Sequence, residues 1–257
     1  MFNQENCRKY TLLADVDETV VNIRPKLAEL LILDKDIPNS DIKPELVKMY
    51  FDDPAGFMTY VLKSDTYKIC DLMLTPAAKD KYRNRPHEIG LYIYNKYSEN
   101  FYDDLSLSIL GHKLKDGLAV YDRHIFITHH ADFISKESKV RFIYNNFSPE
   151  SEIIFWDPAT PKSQAINIIE REDNVNWSAY FDDRIHITQD IITNCNINDR
   201  DIVLANFNYN IPKTPNCTTL EQLKLVATVK GGRFSSFTIP EPELINNTIQ
   251  VPETTNN

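Results

Sequence analysis

The feature that most constrains this chain is a rhythm. Short β-rich runs at 12–14 (LLA), 124–130 (HIFITHH), 152–157 (EIIFWD), 179–183 (AYFDD) and 201–207 (DIVLANF) are separated, after the first, by stretches with helical spacing. Residues 132–146 place Phe133, Val140, Phe142 and Ile143 near that spacing, and residues 161–171 open on a Pro suited to a first turn and carry Ala165, Ile166 and Ile169. Strand followed by helix, repeated, predicts an α/β fold. Its sheet is doubly wound, parallel and Rossmann-like, with ligands bound beyond the carboxyl ends of the strands.

Residues 23–121 break the rhythm. The segment is rich in Lys, Asp and Tyr and shows helical stretches at 25–33, 44–51 and 103–114, which predicts a mostly helical cap inserted after the first strand. The expected division is a core of residues 1–22 and 122–234, a cap of residues 23–121, and a loose tail of residues 235–257 marked by Pro240, Pro242 and Pro252 among several Asn and Thr.

Composition narrows the partners. A hydrophobic fraction of 42% is enough for a packed interior, while a net charge of -9 disfavours a broad face for long nucleic acid and favours a small substrate. Cys7, Cys70, Cys195 and Cys217 are dispersed without a C-x-x-C pair, so neither a zinc site nor a dense disulfide framework is signalled. The opening MFNQENCRKY has no apolar signal core, and no apolar run is long enough to span a bilayer. A soluble cytoplasmic protein with reduced thiols, and without a membrane partner, is expected.

The strand ends carry the chemistry. In TLLADVDETVVN, residues 11–22, an apolar run stops at Asp15 and Asp17, which in extended chain face the same side and repel each other. Such a pair implies a cation or a shared proton, unless the stretch is an ordinary Asp-rich turn. Other strand ends bear on the choice: Thr128 ends the second run, Asp182 and Asp183 end the fourth, and Lys162 opens the helix after the third. A parallel sheet brings these ends to one edge. There they would supply a carboxylate nucleophile, a second carboxylic acid for proton transfer, a hydroxyl and an ammonium for phosphate oxygens, and a cluster for a hard divalent cation.

In this order and context the set resembles the haloacid dehalogenase (HAD) superfamily of phosphotransferases, over residues 10 to 210 or so. The resemblance implies that Asp15 is the nucleophile that becomes an aspartyl phosphate. Asp17 would be the acid/base that protonates the leaving oxygen and then activates water, with Thr128 and Lys162 holding the phosphate. Asp182 and Asp183, with Asp15 and the backbone carbonyl of Asp17, would hold Mg²⁺. Glu18 stands where many relatives carry Gly and is expected to make the entrance more acidic. His129 and His130 are expected as loop residues beside the site, with His129 a candidate substrate contact.

A finer likeness is to the 5'(3')-deoxyribonucleotidase branch, carried by DDPAGFMTYVL at 52–62, the K-x-R-F-I run at 139–143, Asp182-Asp183-Arg184 and Tyr209-Asn210. It implies a hydrolase acting on nucleoside monophosphates, with Arg184 on the substrate and Phe57 and Tyr60 stacking on the base. Those aromatics equally suit the interior of the cap. An Arg after the acidic pair also occurs in polynucleotide 3'-phosphatases, which leaves nucleic-acid ends as an alternative substrate. A non-enzymatic receptor or scaffold that retains the fold is a third reading.

Overall fold

The computed structural model describes residues 10–82, 86–130, 135–172, 177–210 and 218–238. Among them, six parallel strands form one sheet in the order β3-β2-β1-β4-β5-β6. They are β1 (Thr11–Ala14), β2 (Arg123–His129), β3 (Glu152–Trp156), β4 (Trp177–Asp182), β5 (Asp201–Asn206) and β6 (Arg233–Thr238). The expected α/β fold is the one observed. β1 lies at the centre, with Ala14 opposite Phe126 of β2 on one side and Phe181 of β4 on the other. Strand order reverses across β1, so the crevice for ligands opens beyond its carboxyl end.

Both faces of the sheet are covered, as a parallel sheet requires. Leu12, Ala14 and Phe126 pack on one face with Phe142 and Ile143. Leu13, Ile125 and Ile127 pack on the other with Ala165, Ile166 and Ile191. The alternation of Leu12 and Leu13 between faces is the period-two pattern of a strand buried on both sides. Among the described residues, seven α-helices precede β2: α1 (Arg24–Leu33), α2 (Pro44–Asp52), α3 (Pro54–Lys63), α4 (Ile69–Met73), α5 (Pro76–Lys81), α6 (Pro86–Tyr97) and α7 (Ile109–Asp116). The later helices are α8 (Glu137–Asn146), α9 (Lys162–Glu172), α10 (Ile185–Asn194) and α11 (Leu220–Val229).

Three expectations shift. The helix anticipated at 103–114 starts only at Ile109, because the hydroxyl of Ser108 accepts from the Gly111 amide at 2.9 Å and caps it. The chain just before it belongs with the core: Ser108 N donates to Val20 O at 2.8 Å, and a Cβ at Gly111 would sit 2.3 Å from Val20 O. Accordingly Phe101, Tyr102, Leu107, Leu110 and Leu114 pack with β1 and β2, whereas a separate apolar cluster from Ala28 to Ile93 forms the interior of the helical insertion. At the other end, residues 235–238, placed in the tail by composition, complete an edge strand opposite Val203 to Asn206. The Ser-Ser pair hides a strand whose backbone is held by β5. Residues 239–257 and the thiols Cys7 and Cys217 lie outside the described residues, while Cys70 and Cys195 are free and buried. Among the described residues no helix is long and apolar enough to cross a membrane.

Candidate active site

Asp15 is the first residue past β1, and its amide continues the ladder to Phe181 O at 2.8 Å. The chain then turns tightly, with Val20 N and Val21 N both donating to Val16 O, so that Asp15 and Asp17 line the same cleft. Glu18 takes a left-handed φ of 60°, a conformation that suits Gly and strains other residues. Its side chain offsets that strain. Oε1 accepts from Ile23 N and Arg24 N at 2.8 Å each, placing a carboxylate on the otherwise uncapped start of α1. Glu18 is 2% exposed and does not line the cleft, which corrects the expectation of a more acidic entrance. Burial pushes its carboxyl up to about 7, against the pull of Arg24 and the two amides.

Lys162, the first residue of α9, joins two strands. Its Nζ lies 2.7 Å from Asp15 Oδ1 and 2.9 Å from Asp182 Oδ2, and the lysine is almost wholly buried. Asp182 Oδ2 also accepts from Tyr180 at 2.7 Å, and Oδ1 accepts from Arg184 N at 2.9 Å. Despite burial, Lys162 and these hydrogen bonds hold the Asp182 carboxyl below its ordinary value. Asp183 Oδ2 accepts from Tyr209 at 2.5 Å, and Asn210 Nδ2 donates to the Asp183 carbonyl at 2.6 Å. The Tyr209-Asn210 pair therefore braces the acidic motif.

Asp15, Asp182 and Asp183 each present an oxygen within 4.8 Å of the others, and all are buried. Three carboxylates this close repel. Burial, with Asp182 and Asp17 adding and Lys162 opposing, pushes Asp15 up to about 6; burial and the neighbouring Asp182 and Asp15 push Asp183 well above the usual range. One ammonium cannot neutralise the set, and an all-oxygen cluster of this kind fits a hard divalent cation such as Mg²⁺. Asp182 is the most engaged of the three, with two hydrogen bonds on Oδ2 and one on Oδ1, which leaves an acceptor site on Oδ1.

Thr128, on β2, has its hydroxyl 2.9 Å from Lys139 Nζ, and Lys139 also reaches Asp17 Oδ2 at 2.8 Å. Lys139 is 0% exposed. Burial works against its charge, but Asp17, Tyr94 and Asp15 together outweigh it and the ammonium is held above its ordinary value. Tyr102 donates to the other oxygen of Asp17 at 2.5 Å. The sequence flagged Lys139 only within a run of likeness and gave no signal for Tyr102.

A cleft of about 670 Å³ opens over these groups, with Thr128, His129, Lys162 and Arg184 in its wall. His129 is the last residue of β2 rather than a loop residue and lines the cleft; burial, then Lys162 and Arg184, push its imidazole down to about 4. The Arg184 guanidinium stacks 4.5 Å from the ring centroid of Tyr67, which also lines the cleft and meets Tyr209 edge-on at 5.1 Å. Phe57 and Tyr60 are the corrections. Phe57 is 0% exposed and packs edge-on against Tyr50 inside the cap cluster, because an apolar ring on the inner face of α3 is buried by the neighbouring helices. Tyr60, 42% exposed, is on α3 away from the cleft lining. Among the described residues, the tyrosine that lines the cleft is Tyr67.

No family model matches the chain, and no curated protein matches it. The chain is similar to solved structures of HAD-named proteins. One, from Bacillus subtilis, is named as a HAD-hydrolase bound to magnesium: identity is 16%, the match covers 85% of this chain and 98% of that one, and the TM-score is 0.47. A haloacid dehalogenase-like family hydrolase from Streptococcus pneumoniae matches at 12% identity over 90% of this chain and 94% of its own, with a TM-score of 0.47. A Haemophilus somnus protein named as a phosphoglycolate phosphatase matches at 14% identity over 80% and 89%, with a TM-score of 0.43.

Proposed function

We propose that this chain is a Mg²⁺-dependent phosphomonoester hydrolase of the HAD type, working through an aspartyl phosphate on Asp15. The observation that carries the reading is the convergence of Asp15, Lys162, Asp182 and Asp183, from three separate segments, into one buried cluster at the crevice beyond β1. Bound Mg²⁺ would neutralise phosphate oxygens. Lys162 has three donors, two engaged by carboxylates, which leaves one for a phosphate oxygen; the Thr128 hydroxyl faces the same cleft. With that charge balanced, an Asp15 oxygen attacks phosphorus and the ester oxygen departs with a proton from Asp17. Asp17 then takes a proton from water as the water attacks phosphorus, releasing phosphate and restoring Asp15.

The substrate class is a small phosphorylated molecule, and within it we favour a nucleoside monophosphate. The cleft volume suits a ligand of that size, and Tyr67 backed by Arg184 offers a flat wall for a base. Release of phosphate from p-nitrophenyl phosphate with Mg²⁺, its loss in EDTA, and its loss by more than about a thousandfold in Asp15→Asn test the reaction. Full activity in the Asp15→Asn protein would overturn the covalent mechanism.

A further inference from the structure

Both oxygens of Asp17 are occupied from opposite sides. Tyr102 donates to Oδ1 at 2.5 Å and Lys139 to Oδ2 at 2.8 Å, and neither donor is reachable by solvent. Tyr102 has a single hydroxyl proton, committed to Asp17, so in its 2.6 Å contact with Tyr94 the Tyr94 hydroxyl must be the donor. A chain of hydrogen bonds thus runs from Tyr94 through Tyr102 to Asp17. Tyr94 packs against the same core cluster as Tyr102, while its helix α6 also carries Ile89 and Ile93 into the cap cluster. Lys139 extends the chain to Thr128 at 2.9 Å.

Each carboxylate oxygen can accept two hydrogen bonds. With one site on each oxygen taken, the remaining ones on Asp17, which is partly open and lines the cleft, are those that face a bound substrate. We infer that Tyr102 is a positioning residue that aims the Asp17 carboxyl at the leaving oxygen, and that Tyr94 transmits the placement of α6 to that clamp. This inference rests on the phosphatase reading. Neither tyrosine touches phosphate; both act through Asp17.

Leaving-group dependence separates aim from mere structure. p-Nitrophenolate departs without a proton, whereas an alkoxide needs one, so a misdirected acid penalises an alkyl phosphate far more. In Tyr102→Phe, kcat/KM for ethyl phosphate should fall about tenfold or more while that for p-nitrophenyl phosphate stays within about threefold, with the effect in kcat. Tyr94→Phe, which leaves Asp17 and its two donors in place, should show the same selectivity to a smaller extent, and decides the matter if Tyr102→Phe fails to fold. Equal losses on both substrates, or no loss, would overturn the clamp while leaving the phosphatase reading intact. A parent protein that hydrolyses neither ester with Mg²⁺ would overturn both.

Discussion

Lys162 and Asp15 form a buried ion pair, 2.7 Å from Nζ to Oδ1, that binds the start of α9 to the end of β1. The same ammonium reaches Asp182 at 2.9 Å, so one cation holds two anionic strand ends together. Removing it leaves uncompensated carboxylates out of water.

Lys162→Met should therefore damage stability and activity together. Loss of one partner of a buried pair costs about 3–5 kcal/mol, and loss of a donor to the transferring phosphate should lower kcat/KM by about a hundredfold or more. Thermal melting and p-nitrophenyl phosphate hydrolysis measure the two effects. A variant that melts like the parent and turns over normally would remove Lys162 from the site.

Metal binding should be linked to pH. The Asp15 carboxyl is raised from 3.8 to about 6 by burial, with Asp182 and Asp17 adding and Lys162 opposing. A raised carboxyl holds its proton more tightly folded than unfolded, so the metal-free protein loses stability as pH climbs from about 4 to about 6. A cation must displace that proton at low pH and finds the site ready at high pH. Mg²⁺ is accordingly expected to raise Tm more at pH 8 than at pH 5. An equal or inverted shift in differential scanning fluorimetry would argue that the cation binds elsewhere.

What the sequence could disclose depended on distance along the chain. Asp15, Thr128 and Asp182 were legible because each is a polar residue where an apolar run ends, a local pattern that sheet topology then gathers to one edge. The partners of Asp17 were not legible: Tyr102 and Lys139 lie 85 and 122 residues away, and nothing near them distinguishes a clamp from a core tyrosine and a helical lysine. Phe57 failed for the converse reason. An aromatic in a cap is as readily core as wall, and only packing tells which. Glu18 was visible but misread, since its left-handed turn and its reach to the α1 amides are tertiary facts.

Phe57→Ala tests that correction. The ring is sealed within the cap cluster, so truncation should lower stability by about 3–5 kcal/mol through lost burial and a cavity. The ratio of kcat/KM for a nucleoside monophosphate to that for p-nitrophenyl phosphate should stay constant in the folded fraction. A change in that ratio without loss of stability would return Phe57 to the substrate.

Tyr67 is the residue on which nucleotide preference should turn. Its ring lies in the cleft wall, held by the Arg184 guanidinium on its face at 4.5 Å and by Tyr209 at its edge, so it is rigid enough to receive a base without first being ordered. Stacking of a base on an aromatic side chain contributes about 1–3 kcal/mol. Tyr67→Ala is therefore expected to lower kcat/KM for a nucleoside monophosphate about tenfold, equivalent to about 1.4 kcal/mol, while ribose 5-phosphate, which has the same phosphoryl group and sugar but no base, changes by less than about threefold. The parent should also prefer the mononucleotide over a 3'-phosphorylated oligonucleotide by about tenfold, since a net charge of -9 offers no track for a polymer backbone. Equal losses on the two small substrates would make Tyr67 part of the wall only and take the base out of recognition. Equal or better use of the oligonucleotide would instead move the substrate to nucleic-acid ends, with Asp15, Asp17 and Lys162 keeping their roles, because the chemistry at phosphorus is the same for either leaving group.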